Sequence, residues 1–176
     1  MLGSLGRALG ISVFFLLLLG LAYPLAETGI GQAAFSHQAS GSLTANGSTL
    51  VGQQWKGPQW FQGRPDGDNP LATGGTNLGP RSKALVQAVA QQVSQLKKEG
   101  ITPTPDLVTT SGSGVDPDIS PADAYAQVDA VAKARDLSAT TVRALVATQI
   151  QPAELGFLGS SYIDVLQLNE RLAGLK

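Results

Sequence analysis

A chain of 176 residues with twelve basic and thirteen acidic side chains, one histidine and a net charge of −1 lacks the electrostatic footprint of a nucleic-acid binder. It has no cysteine, which excludes a thiol nucleophile, a thiolate metal site and a disulfide framework. Only 14% of its residues are charged, and its 21 glycines and 10 prolines describe a loop-rich chain with room for one ordinary domain.

An uncharged apolar stretch, Ala8 to Ala26 (ALGISVFFLLLLGLAYPLA), lies between Arg7 and Glu27. As a helix rising ~1.5 Å per residue it is roughly 28 Å long, close to the ~30 Å hydrocarbon layer of a bilayer. The positive-inside tendency puts residues 1–7 in the cytoplasm and everything after the helix on the outer face. A cleaved secretory signal is the other reading, with Gly20-Leu21-Ala22 as its small-residue site. The run exceeds the usual ~7–15 residues of a signal core, and Tyr23 sits where an interfacial anchor belongs, which favours a membrane anchor. Either way the domain is exported. Residues 27–45 form a juxtamembrane connector, able to continue the helix outward, and 46–176 a single extracytoplasmic domain.

Asn46-Gly47 inside Leu43 to Trp55 signals a short hairpin. The segment Gly57 to Gly79 is almost wholly turn-forming, with Trp60 and Phe61 as anchors into a core; structureless loops of that length are often functional. Pro80 suits the first turn of a helix carrying Leu85, Val89, Val93 and Leu96 and closing at Gly100. Asp106 to Thr110 reads as a strand leading into the loop Ser111 to Gly114. Ser120-Pro121-Ala122-Asp123 has the cap, proline and acid of a helix start, so a second helix runs to about Arg135. Ser138 caps a third through Gln149; Tyr162 to Leu168 reads as a strand, and Asn169 as the cap of a short last helix. The expected fold class is α+β: a single N-terminal transmembrane helix, then one small domain of short strands and about three helices.

Chemistry is sparse. A serine triad would have to use His37, because a hydroxyl nucleophile passes its proton to a positioned base, and Ser111-Gly112-Ser113-Gly114 does not fit the nucleophile elbow. Asp66 and Asp68, with Asn69 beside them, sit at alternate positions like the start of a calcium loop without its later ligands. Asp116 and Asp118 are expected to serve the following helix N-terminus rather than a cation. The Gly74-Gly75 and SGSG loops have backbone N–H groups of the kind that hold phosphate, but no P-loop lysine. No ionisable side chain lies in the apolar helix, so ions cannot cross through this chain alone.

Six features in order, the single apolar helix followed by NGSTLVGQ (46–53), WFQGRPD (60–66), TGGTNLGP (73–80), DLVTTSGSGVDPDIS (106–120) and VLQLN (165–169), resemble the C subunit of the bacterial Kdp potassium-transporting ATPase over essentially the whole chain. Two departures stand out: the family's usual serine after Gly-Arg-Pro is Asp66 here, and its common histidine after Asp-Pro is Asp118. The resemblance implies a non-catalytic accessory subunit, beside a potassium-translocating subunit, a P-type ATPase subunit and a small membrane peptide. It further implies a role in assembly and a chaperone effect on the ATPase subunit's affinity for ATP, with potassium carried by the partner. Partner contact is then expected at Arg64, Asp66, Gly74, Gly75, Asn77, Ser111, Ser113, Asp116 and Asp118, with Arg64 alternatively a structural clamp. A membrane-anchored serine hydrolase and a small-anion binding module are the alternatives.

Overall fold

The computed structural model describes residues 2–66 and 71–175, and the chain forms two compact units, Met1–Leu43 and Thr44–Lys176. The first is dominated by a helix whose span Gly3–Ala34 is, among the described residues, the one long and apolar enough to cross a membrane. It comprises α1 (Leu2–Leu17), a π-helical turn Leu18–Ala22 and α2 (Tyr23–Ala34). Pro24 explains the interruption: it has no N–H for the carbonyl four residues back and its ring crowds that turn. The helix widens there, and the Tyr23 N–H bonds Leu18 O. Large apolar side chains such as Phe14, Leu16 and Leu19 stand exposed around it, as expected of a helix solvated by lipid. The helix therefore outruns the Ala8 to Ala26 stretch at both ends, and the connector begins as its continuation. Phe35 leaves helical geometry (φ −138°, ψ 47°), and a single turn, α3 (Ser36–Ala39), follows with His37 on it.

The second unit is built on three helices, α6 (Pro121–Ala134), α7 (Ala139–Gln149) and α8 (Val165–Ala173). Their apolar faces meet in one core containing Val128, Val131, Val142, Val146, Leu168 and Leu172, joined by Phe61 and by Ile119 and Ile163. Each such side chain contributes roughly 1.5–3 kcal/mol by leaving water. The strands are brief. β1 (Leu43–Thr44) pairs with β2 (Gly47–Ser48), and β3 (Asp118–Ile119) pairs antiparallel with β4 (Ile163–Asp164), setting Asp118 opposite Asp164 and Ile119 opposite Ile163. A smaller cluster of Leu96, Ile101 and Leu107 fastens the C-terminal end of α4 (Lys83–Lys98) to the turn α5 (Pro105–Val108). Leu85, Val89 and Val93 are only half-buried, so most of α4 lies on the surface of this unit.

Two buried amides replace a missing strand. Asn169 accepts from Phe61 N (2.9 Å) and donates to Phe61 O (2.9 Å); Gln127 accepts from Gln62 N (2.8 Å) and donates to Gln62 O (3.0 Å). The backbone of residues 61–62 is thus satisfied inside the core by side chains alone, which lets a loop carry Phe61 to full burial.

Several expectations need correction. Asp106 to Thr110 is not a strand: Pro105 and Asp106 start the helical turn α5, which runs to Val108, and Thr109 after it is extended. Tyr162 to Leu168 is a strand only at Ile163–Asp164, because Asp164 accepts from Gln167 N and caps α8 there. Asn169 is consequently inside α8 and caps nothing. The helix expected at Pro80 begins at Lys83, after Ser82. The second helix does start as read, with Ser120 and Asp123 completing a reciprocal capping box, and Ser138 caps α7.

Candidate functional site: a crossing of three loops

Loops 52–66, 71–75 and 109–118 cross around one carboxylate. Asp66 Oδ1 accepts from Ser111 N (2.6 Å), and its Oδ2 accepts from Ser111 Oγ (2.6 Å) and Asp116 N (3.1 Å). Ser111 Oγ in turn accepts from Gly114 N (2.8 Å) and lies 3.3 Å from Ser113 Oγ, which accepts from Val115 N (3.2 Å). Gly74 N donates to Ser113 O (2.6 Å) and Gly52 N to Val115 O (2.8 Å), so both neighbouring loops are sewn to the same segment. Glycine is required where the strands of chain touch. A Cβ on Gly52 would stand 2.6 Å from Asp116 O, and one on Gly114 (φ 71°) 2.7 Å from Gly74 O.

Arg64 secures the next turn. Its guanidinium bonds Asp106 Oδ1 (3.0 Å), Thr109 Oγ1 (3.2 Å) and Thr110 O (3.2 Å), spanning the end of α5. Asp106 is held above the ordinary carboxylate range, first by burial and then by the neighbouring carboxyl of Asp123, with Arg64 pulling the other way. Arg64 is thus bonded within its own unit to a carboxylate, a hydroxyl and a backbone carbonyl.

Of the nine residues singled out, the fold brings together Asp66, Gly74, Ser111, Ser113 and Asp116. Gly75 packs against them, its Cβ position 3.1 Å from Gly112 O. Asn77 is exposed in a left-handed conformation (φ 54°). Asp118 turns to the sheet, where burial first, and then the charges of Asp116 and Asp164, push its carboxyl up to about 6. Asp164 is raised as well, chiefly by burial. Asp116 does not cap α6, contrary to expectation; its Oδ1 accepts from Asp118 N (3.1 Å) in a turn of its own. Asp68 and Asn69 lie outside the described residues.

The arrangement is a knot rather than a reaction centre. Ser111 Oγ is committed to a carboxylate and a backbone N–H. The N–H groups of Ser111, Gly114 and Asp116, which an incoming phosphate would need, are spent on the chain's own oxygens, with Asp66 supplying the anion. These residues do not fit a nucleotide phosphate. Sequence reading missed Asn169, Gln127 and Gly52. The first two were detectable as polar side chains inside helical apolar stripes, between Leu168 and Leu172 and between Ala124 and Val128.

The family model for the K+-transporting ATPase c chain, KdpC, matches residues 5–174. This chain belongs to the KdpC family. A potassium-transporting ATPase KdpC subunit of Sorangium cellulosum is 46% identical, with all of both chains covered. Those of Allorhizobium ampelinum (45%, 98% of this chain and 96% of the relative) and Caulobacter vibrioides (44%, 98% and 93%) are similar throughout their length. The resemblance carried by the blocks after the apolar helix is thereby shown, and the first four of them cross at Asp66, while Asn169 of the fifth holds Phe61. Membership makes the chain a subunit in potassium transport, with a single candidate transmembrane helix among the described residues.

Proposed function

We propose that this chain is the non-catalytic accessory subunit of an ATP-driven potassium importer, needed for assembly of the complex. Its helix, centred on Ala8 to Ala26, anchors it in the inner membrane with the N-terminus in the cytoplasm. The α+β unit lies outside, against the potassium-translocating subunit, with a P-type ATPase subunit and a small membrane peptide completing the assembly. The family match from residue 5 to residue 174 carries this reading, because it includes the apolar helix and every loop of the knot. Potassium and ATP are handled by the partners. Any effect on ATP affinity travels through the membrane helices as a coupling free energy, typically about 1–3 kcal/mol, since the knot provides no phosphate cradle.

Co-purification from native membranes tests the proposal. The full chain should bring down the other ATPase subunits in fixed proportion, and a chain ending after residue 45 should leave them poorly assembled. An intact, fully active complex around the truncated chain would refute it.

A further inference from the structure

Between α7 and β4 the chain makes a hairpin that no part of the knot uses. Gln151 and Tyr162 exchange backbone bonds (2.8 and 3.0 Å), as do Glu154 and Leu158 (3.0 and 2.9 Å), and Gly156 N and Phe157 N close the tip onto Ala153 O and Glu154 O. The tip carries Leu155, Phe157 and Leu158, which are 82%, 74% and 50% exposed. Apolar side chains gathered at such a tip, on the order of a few hundred Å² together, mark an interaction site when they cannot be explained by a core.

The tip is held in one shape at a cost. Leu155 is left-handed (φ 52°), a conformation that disfavours any residue with a Cβ, and Gly156 (φ 81°) and Gly159 (φ 82°) set the turns beside it. A fixed, strained tip suits a shaped protein pocket; a fluid bilayer makes no such demand. Charge points the same way. From Ile150 to Ile163 the one charged residue is Glu154, with no lysine or arginine, whereas segments that enter the lipid interface are rimmed with basic residues. The area is well short of the ~800 Å² per side of a free-standing interface, so the occupant has to be held nearby, as a protein in the same membrane as the anchor helix would be.

We propose that the Glu154–Leu158 tip is a docking plug, with Phe157 entering an apolar pocket rimmed by a cation on another protein subunit of the same membrane complex. The inference rests on the accessory-subunit reading and names the surface through which it acts. An aromatic anchor of this kind carries a disproportionate share of binding energy.

Because the chain is free of cysteine, Phe157→Cys and, as a reference on α7, Thr140→Cys each provide a single thiol. Labelling with a water-soluble maleimide is compared for the full chain alone in detergent and in the complex purified with its ATPase subunits. Position 157 should react at least tenfold more slowly in the complex and position 140 no more than twofold. A benzophenone attached at Ser160→Cys, which leaves the plug intact, should crosslink to one of those subunits, identified by mass spectrometry. Phe157→Asp should lower complex yield at least tenfold with an unchanged melting temperature of the chain. Equal labelling of position 157 in both states, crosslinking to lipid only, or full assembly with Phe157→Asp would each overturn the plug while leaving subunit membership intact. Failure of the unmodified chain to co-purify would overturn both.

Discussion

Asn169 shows how much one amide can carry. Replacing it with alanine leaves Phe61 N–H and C=O buried without partners, and each orphaned group costs about 1–3 kcal/mol. We expect Asn169→Ala to lower unfolding free energy by about 2–4 kcal/mol in urea melts, more than an exposed substitution such as Thr140→Ala. Asp118 acts in the opposite sense. Its folded-state carboxyl sits at about 6, above the value of an unfolded chain, so the folded form holds the proton more tightly. The stability from this group is therefore present in acid and lost as pH rises through about 6. Asp118→Asn should melt higher than the parent at pH 7.5, and the gap should close towards pH 4. A constant difference across that range would disprove the assignment. The sequence marks Asn169 only as a polar residue within an apolar stripe, and it does not mark the burial of Asp118 at all. An asparagine in the VLQLN block looks like a helix cap until the register of α8 is known, and the burial of Asp118 depends on Asp164 being its cross-strand neighbour.

The helices read from a serine cap at their start are placed correctly, and the elements read from β-branched content are not. Ser120-Pro121-x-Asp123 and Ser138 name their helices because a hydroxyl beside orphan N–H groups is a local device. DLVTT and YIDVLQL were read as strands from their side chains, yet Pro105 with Asp106, and Asp164 with Gln167, were helix-start signals of the same local kind. Tertiary burial then chose the helix: Val165, Leu168 and Leu172 share one buried face that a strand would have split between two. The loop knot is an element in this sense too, and Arg64 is its testable tie. Arg64→Lys keeps the charge but cannot span Asp106, Thr109 and Thr110 at once, so it should cost about 1–2 kcal/mol in chemical denaturation, nearly as much as Arg64→Ala. Recovery of full stability by lysine would mean that charge alone matters.

At the scale of the whole molecule the decisive feature is the division between a long helix with exposed apolar side chains and a small packed domain. If the proposed orientation holds, protease added to intact spheroplasts should digest residues 46–176 without lysis; protection until lysis would reverse the topology. The apolar stretch, the missing cysteines, the helix caps and the ordered loop blocks are properties of local chain chemistry and composition, and they sufficed for the membrane helix, the α+β class and the family. What the loops do to one another was decided only by folding. Asp66 lies 45 residues from Ser111 and 50 from Asp116 along the chain, and no local signal reports that a carboxylate will occupy the nest their N–H groups form. Capping and hydrophobic spacing act within a turn or two of helix, whereas the knot, the amide clamps and the Asp118–Asp164 pair exist only because the packing of α6, α7 and α8 brings distant segments within hydrogen-bonding range.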